Sequence, residues 1–285
     1  MKELEHIVNL LAEEGSYASL FHRCTRGEPL PSVPDLKEIV KLCRSVIFPG
    51  YFGVSTTDSA SLRYHIGVSV ERLYALLTSQ IHAGLSFNCD CRDTSHPEAA
   101  RDMARQFIER LPQLRAALAD DVRAIFDGDP AAENIAEVIS CYPSVRAVSS
   151  YRIAHALLEM GVPLIPRAIS ELAHGETGVD IHPGATIGSR FAIDHGTGVV
   201  IGATCIIGNN VKIYQGVTLG ARSFPLDDAT GLPVKGIPRH PIIGDNVIIY
   251  SNATILGRVT IGDGATVGAN VWLTHDVAPG ATIYK

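Results

Sequence analysis

From Asp180 onward one spacing dominates the chain. Aliphatic residues recur every six positions at Ile181, Ile187 and Ile193, then at Ile201, Ile207, Ile213 and Leu219. The rhythm returns at Ile243, Ile249, Ile255, Ile261, Val267 and Leu273. Glycine follows many of these directly, at Gly188, Gly202, Gly208, Gly220, Gly244, Gly262 and Gly268. Two positions ahead of most sits a small or β-branched residue, as at Cys205, Val211, Val217, Val247, Ala253, Val259 and Ala265. This is a hexapeptide repeat, the signature of a parallel β-helix. Each six-residue unit makes one short strand and one turn. The aliphatic residue stacks on its copies in neighbouring coils, and glycine is expected to tolerate the turn conformation.

Upstream the grammar is helical. In "DLKEIVKLCRSVIFPG", Leu36, Ile39, Val40, Cys43, Val46 and Ile47 recur at three- and four-residue steps, and Pro49-Gly50 ends the run. Val70, Leu73, Leu76, Leu77 and Ile81 repeat the pattern, as do Met103/Phe107/Leu111, Val122/Ile125/Phe126 and Val145/Val148/Ile153/Leu157. The expected organisation is a helical domain of six to eight helices over 1–174. A hexapeptide-repeat solenoid follows over 175–285, with one loop extruded at 221–240.

Bulk properties exclude several classes. A chain of 285 residues, 46% of them hydrophobic, can bury a sizeable core. A net charge of −6 without a Lys/Arg run gives no field for nucleic acid. No apolar run approaches the ~18 residues of a membrane span. The segment "MKELEHIVNLLAEEG" is acidic and amphipathic, unlike a secretory signal. A cytoplasmic setting is therefore expected, with Cys24, Cys43, Cys89, Cys91, Cys141 and Cys205 reduced. Cys89, Cys91 and His96 are spaced too loosely for a zinc site and lack a fourth ligand, so no metal is expected.

The repeat breaks twice. Ile193 to Ile201 spans eight residues rather than six, and the extra two lie in "DHGTGVV". Leu219 to Ile243 spans twenty-four, but "ARSFPLDDATGLPVKGIPRHP" carries four prolines and no hexad. Loops leaving a rigid scaffold are where function concentrates. Both departures place a histidine beside a charged residue, Asp194-His195 and Arg239-His240.

The stretches "DIHPGATIG", "IDHGTGVVIG", "VTLG", "RHPIIGDNV" and "ATILGRVTIGDGATVGA", with "DGDPAA" and "SYRIAHALL" upstream, resemble the serine O-acetyltransferases. The resemblance covers roughly residues 120 to 280. It implies a left-handed β-helix, a homotrimer or dimer of trimers, and active sites between adjacent solenoids. It implies direct acetyl transfer from acetyl-CoA to the L-serine hydroxyl, with L-cysteine as feedback inhibitor. His195 matches the general base and Asp180 its orienting partner. Asp129 and Asp194 match positions that hold the substrate ammonium, and Arg239 and His240 those that hold its carboxylate. Coenzyme A would run near Gly220, Ala221 and Ala269. The terminal isoleucine tail with which some members dock O-acetylserine sulfhydrylase is not found in "GATIYK", so that complex is not expected.

The chemistry asks for these residue types. A serine hydroxyl becomes a good nucleophile only as a base removes its proton, and imidazole is the side chain suited to accept and later return it. A carboxylate on the far ring nitrogen fixes the tautomer. Asp180 lies fifteen residues before His195, and one turn of such a prism takes about eighteen, so the two fit on neighbouring coils or corners. A zwitterionic acceptor needs an anionic pocket and a cationic one, and arginine grips a carboxylate with two parallel bonds. Homoserine or a sugar is the alternative acceptor on this scaffold, and a zinc-dependent trimeric hydratase a more distant reading. Asp129 also suits a helix cap ahead of Pro130.

Overall fold

A computed structural model of the chain describes residues 2–17, 30–53, 58–87 and 96–284. Cys24, Cys89 and Cys91 lie outside the described residues. The first part comprises α1 (Lys2–Ala12), α2 (Glu14–Tyr17), α3 (Val33–Ile47), α4 (Ser59–Phe87), α5 (His96–Gly128), α6 (Ile135–Cys141), α7 (Pro143–Glu159) and α8 (Ile165–Thr177). The periodic residues of α3 are buried as their spacing requires, and Ser32 caps its first turn through the Asp35 N–H. The stripes at 103–111 and 122–126 share a single helix, α5, which runs 33 residues through Pro112. The helical part extends a little past 174: α8 closes at Thr177 and Gly178 takes the left-handed cap at φ 71°.

The solenoid then coils through β1 (Asp180–Ile181), β2 (Thr186–Ile187), β3 (Ala192–Asp194), β4 (Val200–Ile201), β5 (Ile206–Ile207), β6 (Lys212–Tyr214) and β7 (Thr218–Gly220). It continues through β8 (Ile242–Ile243), β9 (Ile248–Ile249), β10 (Thr254–Leu256), β11 (Thr260–Ile261), β12 (Thr266–Val267), β13 (Trp272–Leu273) and β14 (Thr282–Ile283). Every third strand pairs in parallel up to β13, and β14 then pairs with β12, giving three faces: β1-β4-β7-β10-β13, β2-β5-β8-β11 and β3-β6-β9-β12-β14. The register is that of the repeat, with Ile181 over Ile201, Ile187 over Ile207 and Ile193 over Ile213. All thirteen periodic aliphatic residues are buried, and so are the small residues two positions ahead, Cys205 among them.

The glycines after the aliphatic residues correct one expectation. None of them has a positive φ; that backbone falls to Arg190, Asn210 and Asn246 at one corner and to Gly216, Asn252 and Asn270 at another. The repeat glycines are needed for room instead. A Cβ on Gly208 would lie 2.3 Å from the Asp245 carboxylate, and one on Gly244 2.2 Å from that of Asp263. Those carboxylates tie coil to coil: Asp245 accepts from the Asn209 N–H at 2.6 Å, and Asp263 from the Asp245 N–H at 2.8 Å.

The two parts are joined by buried polar contacts. Arg152 on α7 makes a two-pronged ion pair with Asp121 on α5, at 2.8 and 3.0 Å, and donates to the carbonyls of Ile187 and Gly188. Asp121 also accepts from the Phe191 N–H at 2.9 Å. Tyr151 donates to the Ala185 carbonyl at 2.7 Å and Ser170 to that of Ile181 at 2.5 Å. The helices thus sit directly on the first coil and carry Asp129, just past the end of α5, to its surface.

The extruded loop is more ordered than its prolines suggest. Leu226 and Pro233 pair antiparallel, the Asp227 N–H donates to Leu232 at 2.9 Å, and the Asp227 carboxylate accepts from Thr230 at 2.8 Å. Phe224, Leu226 and Leu232 stand exposed on this small hairpin.

Candidate active site

The first break in the repeat builds a distinctive corner. Regular corners between the third and first faces need one left-handed residue, at Gly216, Asn252 or Asn270. The broken corner has three: His195 at φ 57°, Gly196 at 93° and Gly198 at 79°. A histidine in this backbone costs on the order of 1–2 kcal/mol, so the fold holds it there against a local preference. The result is a ring thrown outward, its side chain 77% exposed, above a first coil already fixed by the helices.

Around this corner a charged group assembles. Asp194 ends β3, and its Oδ1 lies 3.8 Å from His195 Nε2. Its Oδ2 is 3.0 Å from Lys212 Nζ on β6 of the next coil. Asp129 approaches from the helical side. Tyr142 donates to its Oδ2 at 2.6 Å and the Ala131 N–H to its Oδ1 at 2.9 Å. The Tyr142 bond, with the Ala131 N–H behind it, holds the Asp129 carboxyl below the usual aspartate range, and the same bond pushes Tyr142 up to about 12. No helix starts at Pro130; α6 begins at Ile135 with Asn134 as its cap. Asp129 therefore presents an ionised carboxylate beside Asp194.

A second group occupies the opposite edge of the β4-containing face, where the loop returns. Thr204 is its hub. The Thr204 hydroxyl oxygen accepts from the N–H groups of Arg239 and His240 at 2.9 and 3.2 Å. The Thr204 N–H donates to His240 Nδ1 at 3.1 Å, which places the ring proton on Nε2. His240 is buried over Gly202, where a Cβ would come 2.0 Å from the ring. Burial first, then the charges of Arg239, His182 and Arg258, push its pKa down to about 4. His240 is thus a neutral Nε2–H donor. Arg258 seats it further by donating to its carbonyl at 3.0 Å. The Arg239 guanidinium lies 5.8 Å from the Phe224 ring centroid, and its Nε is buried with no hydrogen-bond partner among the described residues. His182 turns its Nδ1 to the Gly184 N–H at 2.9 Å, a turn-forming bond at this same edge.

Asp180 lies one coil below the His195 corner. Its N–H donates to the Val199 carbonyl at 2.9 Å, and Gly196 packs against Val179. Its carboxylate is 3.9 Å from Arg167, and among the described residues no hydrogen bond or ion pair joins it to His195. Gly220 and Ala221 lie at the loop edge, where the Gly220 carbonyl accepts from the Gly257 N–H at 3.0 Å. Ala269 is exposed at the His195 edge, two coils further on than Gln215. One chain thus holds His195 and two carboxylates on one edge, and arginine and neutral histidine on the other.

Residues 181–215 match the family described as the hexapeptide repeat of succinyl-transferase, and residues 240–275 that described as bacterial transferase hexapeptide. A serine acetyltransferase from a plasmid of Synechococcus elongatus is 47% identical over 290 residues, covering 98% of this chain and 90% of that one. The chain belongs to the serine acetyltransferase family. Its fold agrees with that of serine acetyltransferase 1 of Entamoeba histolytica in complex with L-cysteine, with a TM-score of 0.77 and 37% identity over 87% of this chain and 86% of that one. It also resembles soybean serine acetyltransferase complexed with serine, at a TM-score of 0.57 and 30% identity over 88% and 96% of the two chains. The solenoid is the left-handed β-helix of that family, and the chain is an acyltransferase.

Among the described residues of this acetyltransferase, no three His, Cys, Asp or Glu side chains are grouped to hold a metal ion. No described helix is long and apolar enough to cross a membrane. Sequence reasoning missed Tyr142, Lys212, Thr204 and Arg258. Each is a single residue outside the buried positions of the repeat, so no periodic signal marks it.

Proposed function

We propose that this chain is a cytoplasmic serine O-acetyltransferase that makes O-acetylserine for cysteine biosynthesis. His195 is its general base and Asp180 the acid that orients the ring as the site closes; catalytic hydrogen bonds often tighten only in the substrate complex. The serine hydroxyl oxygen attacks the acetyl carbonyl of acetyl-CoA while His195 takes its proton. The tetrahedral adduct collapses, the carbon–sulfur bond breaks, and the imidazolium returns the proton to the thiolate. Asp129 and Asp194 hold the serine ammonium, and Arg239 and the His240 Nε2–H hold its carboxylate. Coenzyme A lies along Gly220, Ala221 and Ala269. L-Cysteine carries the same ammonium and carboxylate, so it occupies the same clamps and inhibits.

The sorting of charge onto two edges of one face is the observation that carries this reading. Neither edge alone can hold a zwitterion beside a base. Threefold packing of solenoids joins one protomer's His195 edge to its neighbour's Arg239 edge and completes the pocket. Mixing two disabled variants tests this. His195→Ala and Arg239→Ala chains are each expected to be impaired, yet refolding them together restores activity. Random mixing gives an intact pair at roughly a quarter of the interfaces. No recovery in verified mixed oligomers would place the whole site within one chain.

Arg239→Ala alone is expected to raise the serine KM about tenfold or more, since hydrogen bonds between charged groups contribute about 1.5–3 kcal/mol. The KM for acetyl-CoA should move far less. An unchanged serine KM would remove Arg239 from the carboxylate clamp.

A further inference from the structure

Lys212 has no role in the scheme above, yet its surroundings are those of a built ammonium site. Its side chain is 17% exposed. The Nζ donates to the Gly128 carbonyl at 2.6 Å, reaches Asp194 Oδ2 at 3.0 Å, and stands 4.5 Å from the Tyr214 ring centroid. Its methylenes pack against Gly128. Gly128 directly precedes Asp129. One ammonium therefore ties the backbone beside the first carboxylate to the side chain of the second, across the junction between helices and solenoid. Burial opposes the charge, but the contacts with Tyr214 and Asp194 outweigh it and its pKa is raised. Asp129, Asp194 and Lys212 together carry a single net negative charge.

We infer that Lys212 is a positioning residue for acceptor recognition: it fixes Asp129 and Asp194 relative to one another and leaves one uncompensated negative charge, matched to one substrate ammonium. The inference rests on the serine-acetyltransferase reading of the site. The Lys212–Asp194 contact leaves Asp194 Oδ1 open toward His195, while Tyr142 and the Ala131 N–H hold Asp129 from the other side. A second bridge, Arg190 to Asp127 at 2.9 Å, links the same end of α5 to the solenoid without touching either carboxylate. It separates acceptor positioning from simple docking of the two parts.

The test is steady-state thiol release by the full chain, with serine and acetyl-CoA varied separately. Lys212→Met keeps length and packing and removes the charge. It is expected to raise the serine KM about tenfold or more, with the acetyl-CoA KM within about twofold and kcat falling less than the serine KM rises. Lys212→Arg should recover part of the loss, and Asp127→Asn should behave as wild type. Where Lys212→Met does not fold, Lys212→Gln serves, since it removes the charge and keeps an N–H donor on a side chain one atom shorter. An unmoved serine KM in the folded variant overturns the proposal, as does an equal rise in Asp127→Asn. Wild-type chain that releases no thiol with serine would instead remove the underlying reading, and this inference with it.

Discussion

Replacing His195 by alanine is expected to lower serine-dependent turnover of acetyl-CoA at least ~10²-fold, within the ~10²–10⁴ range of general-base assistance. The other candidates around the cleft are poor bases. His240 is pushed down to about 4 and spends its Nδ1 on Thr204. Asp129 is held below the usual range by Tyr142, and Asp194 is bound by Lys212. His182 spends its Nδ1 on the Gly184 N–H, and burial pushes its pKa down. In the proposed scheme the hydroxyl proton therefore goes to His195. The loss should not come from unfolding, because the ring is 77% exposed. His195→Asn makes the stricter comparison, since Asn252 and Asn270 adopt the same left-handed backbone at regular corners. Both variants should melt close to wild type and share the rate defect. Near-normal turnover in either would transfer the proton to another acceptor.

The solenoid was legible because it is written many times over. Each coil repeats the choice of an inward aliphatic residue, so Ile187, Ile207, Ile243 and Ile261 report the same face independently, and all are buried. The candidate site was legible for the opposite reason: His195 and Arg239-His240 stand where the repetition stops. What the sequence concealed depends on contacts between distant segments. Lys212 reads as one more outward residue of a hexad until α5 brings the Gly128 carbonyl within 2.6 Å of it. Thr204 reads as a turn residue until the loop returns 35 positions later to bond its hydroxyl. The repeat glycines were visible but their physical part was not, because the crowding carboxylates of Asp245 and Asp263 belong to other coils. The Asp180–His195 spacing permits a dyad, but it could not show that α8 also brings Arg167 to within 3.9 Å of the Asp180 carboxylate.

The junction that delivers Asp129 to the site should prove the most sensitive point for stability. Asp121 is 2% exposed and Arg152 11%. The Asp121 carboxylate accepts both prongs of the guanidinium and the Phe191 N–H, while burial pushes its pKa up against those contacts. Asp121→Ala would leave the Arg152 charge buried with two carbonyls as partners and the Phe191 N–H with none. Breaking a buried pair from one side typically costs about 3–5 kcal/mol, far more than the net worth of the intact pair. At about 2–4 °C per kcal/mol for domains of this size, the melting temperature should drop by roughly 6–20 °C. Asp120→Ala, one residue earlier on α5, removes only an exposed contact with Arg123 at 3.3 Å. It should change stability by less than ~0.5 kcal/mol. Thermal and urea unfolding of the two variants side by side gives the comparison. Equal, small effects would mean that apolar packing alone seats the helices on the first coil, and that Asp129 reaches the His195 corner without the help of this pair.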